Sequence, residues 1–472
     1  MYPDCSTAGP DTIEDQSSAA FPKAADVFRE KRMNKKKFYL ALIIFSLTGQ
    51  VAWVVENMYF NVFIYKMFNA SAADISLMVE ASAVAATLTT IFIGALSDRV
   101  QRRRIFMCLG YILWGVSIIA FAFVRLDILS SCFGAAAVTA ATAVTIVIIL
   151  DCVMTFFGST ANDAAYNAWL TDRTDETNRG AAEGINSMMP LVAILVVFGG
   201  FMGFDLDKAE SWTTIYIVIG AVVLVVGLLG FLIVEDAPAK RPDEPGYMQT
   251  IFYGFRPSVV KANKSLYTTL IGFVVFGISI QVFMPYLIIY YEKTLGMSDY
   301  VLIMAPAIIL AAVVTALYGK LIDRYGFERM IYPSMGMLGL GYVLLFVFPG
   351  VIDAHGLAMK IPVFVGSLLM MSGYLSGMAV FGTKIRNETP EHMAGRFQGL
   401  RIIAQVLIPG VVGPAIGAAV LKDAEMITNS DGTQSFLPSN IIFLTAFAVL
   451  VVLFIYIVVI LKNRKTVKAA ER

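Results

Sequence analysis

Twelve long apolar segments constrain this chain more than any other feature of its sequence. They lie near 39–66, 75–96, 105–124, 141–168, 184–204, 213–234, 266–291, 300–319, 330–349, 361–383, 402–421 and 439–461. Each is about as long as the ~20 residues that a helix needs to cross a bilayer. The runs are continuous and do not alternate with a period of two, which favours helices over barrel strands. The sequence therefore predicts an all-α membrane protein with twelve transmembrane helices, numbered here span 1 to span 12.

The composition excludes several classes of protein. Of the 472 residues 58% are hydrophobic and 15% charged, whereas soluble proteins carry about 25% charged residues. The net charge of +1 gives no field that would attract nucleic acid. Two histidines, His355 and His392, and four cysteines are scattered, so neither a disulfide framework nor a metal site is expected. With no nucleophile–base pair or phosphate loop in the sequence, we expect no enzymatic activity.

Basic residues give the predicted orientation. With the N-terminus inside, only six of the 36 Lys and Arg residues fall in outside loops, one in each. These six are Lys66, Arg125, Lys208, Lys293, Lys360 and Lys422. Such an excess of positive charge on one side marks the cytoplasmic face. The sequence thus predicts a multi-pass protein of the plasma or inner membrane with both termini in the cytoplasm.

The two halves of the chain look like copies of one six-helix unit. Gly94-x-Leu96-x-Asp98-Arg99 recurs 225 residues later as Gly319-x-Leu321-x-Asp323-Arg324, and the same offset carries Glu56 onto Gln281. A charged, proline-containing loop separates the halves. The predicted organisation is a cytoplasmic tail (1–37), an N-terminal six-helix bundle (38–234), a cytoplasmic linker (235–264), a C-terminal six-helix bundle (265–461) and a second cytoplasmic tail (462–472).

The repeated Gly-x-x-x-Asp-Arg motif, placed in the loops after spans 2 and 8, resembles the signature loop of the major facilitator superfamily. This resemblance implies two six-helix bundles that move about a central solute site. It also implies a role in conformational gating for the motif residues, which are Gly94, Asp98, Arg99, Gly319, Asp323 and Arg324.

A second candidate for gating lies in span 11. Pro409, Gly413 and Pro414 belong to a run rich in proline and glycine that we expect to break the helix and to act as a hinge. The run also resembles the antiporter signature of drug exporters, although that signature lies on their fifth helix. An exporter therefore stays open as an alternative.

Four carboxylates lie inside the predicted spans: Glu56, Glu80, Asp151 and Asp163. Charges in the membrane interior are costly, about 2.5–3.5 kcal/mol on insertion scales, and usually functional. No Lys or Arg occupies a span interior, so each carboxyl must be protonated or must hold a mobile cation. The sequence predicts these four residues as the site of a coupling ion, H⁺ or Na⁺, with no other cofactor. For Glu80, a protonated side chain bonded to a neighbouring helix is an equally good explanation.

Polar and aromatic side chains in the spans are predicted to bind a solute. Gln50, Trp53, Asn57 and Asn61 share one face of span 1. The remaining candidates are Asn162 in span 4, Gln281 and Tyr286 in span 7, Tyr374 in span 10 and Gln405 in span 11. An aromatic face with amides suits a polyol, which stacks its C–H groups and hydrogen-bonds its hydroxyls. The alternative is that the amides join helices and the aromatics pack or lie at the membrane interface.

The end of span 4 carries a more specific resemblance. Asn162-Asp163-Ala164-Ala165-Tyr166, continuing to Arg179-Gly180, resembles the corresponding region of the glycoside–pentoside–hexuronide:cation symporters, the melibiose-permease group. The resemblance implies that Asp163 helps to bind the coupling cation. The helix 2 signature of that group, Asp-Pro-x-x-Gly followed by Arg-x-Gly-Lys, is absent, which indicates a divergent relative.

The sequence thus favours a cation-coupled symporter for a small polyhydroxylated solute, a sugar or glycoside. Its expected partners are the solute, a monovalent cation and the lipid bilayer, with no nucleic acid, and we expect a monomer. The alternatives are a proton-driven exporter of amphipathic compounds and a membrane receptor or scaffold that transports nothing.

Overall fold

The computed structural model describes residues 35–100, 102–134, 138–174, 178–236, 253–351, 357–389, 394–429 and 432–470, apart from some side chains near the gaps. Within this part of the chain, twelve helices are long and apolar enough to cross a membrane, which confirms the predicted fold class. Spans 1 to 6 are Lys35–Phe68, Ala72–Ser97, Arg103–Phe121, Ala140–Asp172, Gly180–Phe201 and Ala209–Ile233. Spans 7 to 12 are Lys264–Thr294, Tyr300–Tyr325, Phe327–Phe348, Lys360–Glu388, Gly399–Val420 and Ile441–Lys462.

Several helices extend past the apolar stretch, and short elements connect others. The longer helices are Ala72–Val100, Arg179–Phe201, Phe327–Val351, Leu357–Glu388 and Ile441–Ala470. Helix Ala394–Ile402 extends into the start of span 11, and short helices occupy Leu126–Phe133, Tyr253–Phe255 and Pro257–Ala262. Between spans 11 and 12, strands β1 (Met426–Thr428) and β2 (Gln434–Phe436) form an antiparallel hairpin in which Ile427 pairs with Ser435.

Helix packing repeats six spans later along the chain. In the first half, span 1 packs on span 5, span 2 on span 4, and span 3 on span 6. In the second half, the equivalent spans pack in the same way: span 7 on span 11, span 8 on span 10, and span 9 on span 12. The same pairs in both halves are what a duplicated six-helix unit produces. The halves meet mainly through spans 2 and 11 and through spans 5 and 8.

Among the described residues, four spans contain a π-helical segment, which is a wider turn with an extra residue and is often found at functional sites. These segments are Val55–Tyr59 in span 1, Ser159–Tyr166 in span 4, Tyr290–Thr294 in span 7 and Ile403–Leu407 in span 11. In span 11 the π turn ends just before Pro409, whose ring would clash with the carbonyl four residues earlier in a regular helix. Since helix Ile408–Val420 runs through Pro409, Gly413 and Pro414, the predicted break at these residues is wrong.

The two signature motifs lie in helices and not in loops. Gly94, Asp98 and Arg99 belong to helix Ala72–Val100, and Gly319, Asp323 and Arg324 belong to helix Tyr300–Tyr325. The prediction of loops there is wrong because the helices continue past the apolar residues. An arginine in the last turn of each helix favours this continuation, since a positive charge interacts well with a helix C-terminus.

Small residues let spans approach closely, and two of these contacts involve span 11. A Cβ atom on Gly413 would lie 2.3 Å from the Cβ of Gln281, so spans 11 and 7 touch within the second half. A Cβ atom on Gly410 would lie 2.7 Å from the Cβ of Ala83, so spans 11 and 2 touch across the two halves. Close approach of this kind is how membrane helices gain packing energy without a hydrophobic driving force.

The halves are joined at one end of the bundle, the end with the turn at Asn69, the loop at 205–208 and the hairpin. We call it the outer end, following the predicted orientation. The ammonium group of Lys66 lies 2.5 Å from the Glu292 carboxylate and 3.2 Å from that of Asp207. The hydroxyl groups of Tyr59 in span 1 and Tyr300 in span 8 are 3.2 Å apart. The structure is therefore closed between the halves at the outer end.

Candidate functional site

A cavity with an empty volume of about 930 Å³, its open part included, lies between the two halves. Spans 1, 2 and 4 of the first half and spans 7 and 11 of the second half form its wall. The wall contains Gln50, Trp53, Glu56, Asn57, Asn61, Met78, Val79, Ser82, Ala83, Ala86, Asp151, Thr155, Asp163, Gln281, Gln405, Val406 and Gly410. Nine of the residues predicted to bind a cation or a solute are thus brought together.

Glu56 is held by two hydroxyl groups from neighbouring spans. Ser82 Oγ in span 2 donates to Glu56 Oε1 at 2.8 Å, and Thr155 Oγ1 in span 4 donates to the same oxygen at 2.9 Å. The two hydroxyl oxygens are themselves 2.9 Å apart. The other carboxyl oxygen of Glu56 is buried without a hydrogen-bond partner in the described part of the chain. One half of this carboxyl group is therefore oriented by the protein, and the other half is left for a bound species.

Asp151 is the second buried acid of this cluster. Its side chain is 2% exposed, and its Oδ1 atom has no hydrogen-bond partner among the described residues. Asp151 and Glu56 repel each other when both are ionised. An unpaired polar atom in such a position is costly unless a ligand or a proton satisfies it.

Asp163 supplies a third carboxyl in the wall. It lies in the π-helical segment of span 4, where Ser159 Oγ donates to its Oδ2 at 2.9 Å. In the described part of the structure, no Lys or Arg forms a salt bridge with Glu56, Asp151 or Asp163. The wall therefore offers three acids with no fixed positive charge to balance them, and protons or a mobile cation must do so.

The aromatic part of the wall is Trp53. Its ring packs against Trp114, with ring centroids 5.0 Å apart, and Trp114 packs in turn against Tyr111. The indole N–H of Trp53 is buried without a hydrogen-bond partner among the described residues. Trp53 is thus fixed by aromatic neighbours, and it retains one unused donor at the cavity.

Amide side chains line both halves of the cavity. On span 1, Asn57 Nδ2 donates to the backbone oxygen of Trp53 at 2.7 Å, and Asn61 Nδ2 donates to that of Asn57 at 3.3 Å. Asn61 Oδ1 is buried without a partner in the described residues. Gln281 and Gln405 bring amide groups from the second half. An amide both donates and accepts, so these groups suit a ligand rich in hydroxyls.

Four residues predicted for the site lie outside the cavity wall. Glu80 accepts a hydrogen bond from Ser76 one turn earlier in its own helix, at 2.5 Å. Asn162 accepts from the Tyr111 hydroxyl at 3.1 Å and packs between spans 1, 3 and 4. Tyr286 donates to the backbone oxygen of Ala72 across the two halves at 3.0 Å, and Tyr374 packs against the apolar core of the second half.

Ser82 and Thr155 are functional candidates that the sequence analysis did not select for the site. Thr155 follows Asp151 by four residues, so the pattern of one helix face already contained it. Ser82 gave no such signal, because a serine in an apolar span usually bonds to its own backbone.

The predicted gating residues differ in how tightly they are packed. A Cβ atom on Gly94 would have only one neighbour, Ala164, at 3.9 Å, and one on Gly319 would have none within 4 Å. Asp323 and Arg324 are exposed, with the Arg324 guanidinium over the Tyr325 ring. Arg99 is also exposed, while the side chain of Asp98 lies outside the described part, as do His355 and His392.

Comparisons with known proteins identify the class. The family model of the Major Facilitator Superfamily matches residues 38–414. The structure resembles the nucleoside transporter NupG, with a TM-score of 0.61 at 14% identity over 90% of this chain and 98% of that one. It also resembles the xylose transporter XylE from E. coli in a partially occluded inward-open conformation, with a TM-score of 0.61 at 15% identity over 89% and 95% of the two chains.

A third similar structure is a bacterial homologue of the human lysosomal transporter Spinster in an inward-facing, unoccupied conformation. Its TM-score is 0.57 at 16% identity, and 90% of this chain and 95% of that one are covered. No curated protein matches the sequence. At these identities the structural likeness establishes the fold.

The described residues form twelve spans in two similar halves around a central cavity, which is the architecture of a multi-pass membrane transporter. The match over most of its length shows that the chain belongs to the major facilitator superfamily. Its family makes it a transporter and not an enzyme.

Proposed function

We propose that this protein is a secondary active symporter that couples the movement of a small polyhydroxylated solute, a sugar or glycoside, to that of H⁺ or Na⁺. The observation that carries the proposal is the buried pair Glu56 and Asp151. Both face a cavity lined by amides and an indole, and neither has a basic partner among the described residues. In this proposal the chain is a divergent relative of the glycoside–pentoside–hexuronide:cation symporters.

The coupling ion binds at Glu56 and Asp151. Each contributes a carboxyl oxygen that is buried without a partner in the described residues, and Ser82 and Thr155 add hydroxyl oxygens at the same place. Hard cations take oxygen ligands of this kind, and a proton on either carboxyl satisfies the same atoms. Asp163 provides a further acid in the wall, whereas Glu80, outside the wall, has no part in this step.

The solute binds on the other part of the wall. Trp53 offers a flat ring for the C–H face of a sugar and one unused N–H donor. Amides from both halves, on Gln50, Asn57, Asn61, Gln281 and Gln405, are placed to bond its hydroxyls. The names of the nucleoside transporter NupG and the xylose transporter XylE support a sugar-containing solute.

Transport follows alternating access between the two halves. Cation binding removes the repulsion between Glu56 and Asp151, the solute then bridges the halves, and the filled cavity opens to the other side. One chain supplies both halves of the site, so a monomer in the plasma or inner membrane, with cytoplasmic termini, is sufficient.

One observation favours a second candidate, a proton-driven exporter of amphipathic compounds. Three acids without a fixed cation in the described wall would also bind a positively charged organic molecule, with Trp53 adding a cation–π contact. In that case the ligand itself supplies the positive charge, and protonation of the acids releases it.

Uptake into proteoliposomes tests the proposal. A sugar and glycoside library is first screened by counterflow, and the accepted solute is then measured with an imposed Na⁺ gradient, an imposed pH gradient or neither. We expect one gradient to drive accumulation of a sugar or glycoside, and Asp163→Asn to weaken that accumulation. Rejection of every sugar, together with proton-driven transport of lipophilic cations, would overturn the proposal in favour of the exporter.

A further inference from the structure

The hairpin between spans 11 and 12 belongs to the second half by sequence but contacts the first half. Its own half anchors it, because Thr294 Oγ1 donates to the backbone oxygen of Pro438 at 2.5 Å. The backbone N–H of Leu437 donates to the oxygen of Glu425 at 2.7 Å and holds the base of the hairpin together. Strand β2 then lies over the turn between spans 1 and 2.

Asn69 is the centre of this contact. It ends the helix of span 1 with φ at +52°, a left-handed conformation that asparagine tolerates better than most residues. Its Oδ1 atom accepts two hydrogen bonds from the hairpin, one from Asn429 Nδ2 at 3.0 Å and one from Ser435 Oγ at 2.8 Å. Both donors come from the second half and the acceptor from the first, so the turn is held from the opposite half.

Tyr65 and Phe436 make a second contact one helical turn away. The Tyr65 hydroxyl donates to the backbone oxygen of Phe436 at 2.7 Å, and the two rings meet edge to face with centroids 5.3 Å apart. Phe436 also packs against Tyr286, which itself bonds to the backbone of Ala72. Ser435 and Phe436 are 3% and 5% exposed. This strand is therefore packed into the junction of the halves and is not a solvent-exposed loop.

We propose that the hairpin is a latch that holds the outer end closed. When the outer end opens, span 1 moves away from the second half, and the bonds from Asn429 and Ser435 to Asn69 must break together with the Tyr65–Phe436 contact. The latch shares no residue with the cavity wall, so it sets the balance between conformations without contacting the solute or the ion. It is independent of which solute is carried.

Labelling of an introduced cysteine tests the latch. Val79→Cys places a thiol in the cavity wall on span 2, in a chain whose Cys132 and Cys152 are replaced by serine. A membrane-impermeant maleimide is then added from the outer side of intact cells. Asn69→Gly keeps the left-handed backbone but removes the acceptor, and Ser435→Ala removes one donor. Gln434→Ala, an exposed position in the same strand, is the matched control.

We expect the labelling rate to rise at least several-fold in the double variant that combines Asn69→Gly with Ser435→Ala, and to stay unchanged in Gln434→Ala. Equal labelling rates in the parent, the double variant and Gln434→Ala, with unchanged melting temperatures, would overturn the latch. Because the readout needs neither solute nor ion, a failed transport assay leaves this test intact.

A disulfide gives an independent test, because it adds a bond to the closed state and does not remove one that stabilises the fold. Asn69→Cys with Ser435→Cys joins the two residues that share the 2.8 Å hydrogen bond. Oxidation is expected to abolish outer labelling of Val79→Cys, introduced in the same chain, and reduction is expected to restore it. Labelling that continues at the same rate after oxidation would show that the outer end opens without moving the hairpin, against the proposal.

Discussion

The hydroxyl group of Thr155 in span 4 donates a 2.9 Å hydrogen bond to the Glu56 carboxylate in span 1. This bond places the acid of one helix beside Asp151, which precedes Thr155 by one turn. A hydrogen bond to a charged group contributes roughly 1.5–3 kcal/mol. Thr155 thus both joins two helices and fixes one oxygen of the acid proposed to bind the coupling ion.

Thr155→Val should therefore weaken Na⁺ binding while the volume of the side chain is kept. With Na⁺ as the driving cation, we expect its apparent affinity to fall about tenfold, the equivalent of ~1.4 kcal/mol. With H⁺ as the driving cation the affinity should not fall, because the lost hydrogen bond favours the ionised carboxylate. The ion dependence of solute uptake measures this effect. Thr155→Ser keeps the hydroxyl and should behave like the original protein; a loss in both variants would show that the methyl group matters instead.

Glu56→Gln and Asp151→Asn should uncouple transport from the ion gradient. Each variant removes an acid that the coupling ion neutralises in every cycle of the proposed mechanism. Accumulation of the solute against its gradient should therefore disappear, while solute exchange across the membrane continues. Counterflow and gradient-driven uptake separate the two effects. Glu80→Gln is the control, because Glu80 lies outside the cavity wall; equal losses in all three variants would contradict the assignment.

Trp53→Phe should reduce solute binding more than cation binding. The smaller ring retains part of the stacking surface but loses the unused N–H donor. Ligand-induced shifts of the melting temperature with sugar alone and with cation alone measure the two effects. Trp114→Phe changes the residue behind Trp53 without touching the cavity wall and should leave the sugar response in place.

Gly49→Ala should destabilise the first half. Its Cβ atom would lie 2.5 Å from Asn162 Oδ1 and 2.6 Å from the Tyr111 hydroxyl oxygen, so these groups must move. Overpacking of this kind costs about 1–3 kcal/mol, which a lower melting temperature would report. Gly94→Ala, whose methyl group meets only Ala164 at 3.9 Å, should be tolerated. Lost transport with an unchanged melting temperature in Gly94→Ala would show that Gly94 is needed in another conformation.

The positive charge of Lys66 should help to close the outer end. The Lys66 side chain is 5% exposed, and its ammonium group lies between the carboxylates of Glu292 in the second half and Asp207 in the first. Lys66→Ala removes this charge, leaves Glu292 with Lys293 at 3.7 Å, and should favour opening of the outer end. Outer labelling of Val79→Cys measures this shift. Lys66→Arg keeps the charge and should keep labelling slow; equally fast labelling in both variants would mean that charge pairing is not what closes this end.

The apolar segments and the repeat were sufficient to predict much of the fold. Twelve spans follow from segment length, because a membrane helix needs a fixed number of apolar residues. The offset of 225 placed Gln281 at the position of Glu56, and the structure puts both in the cavity wall. The acids could be found because carboxyls are rare in the membrane.

Other features depend on backbone geometry that side-chain patterns do not encode. The π turns at 55–59 and 159–166 shift the helix register around Glu56 and Asp163, and no residue type specifies such a turn. The hairpin escaped prediction because its strands have only three residues each. Tyr286 was predicted to bind the solute, but it lies in the short 3₁₀ segment Met284–Tyr286 and hydrogen-bonds at the junction of the halves.

At the contact between Gly410 and Ala83, one half offers no side chain and the other offers a single methyl group. When one bundle tilts over the other in the proposed transport cycle, no side chain at this contact has to change its rotamer. The contact therefore adds little to the energy needed for the motion. A branched residue at position 410 would act as a wedge. It would bias the transporter toward whichever state keeps spans 2 and 11 furthest apart.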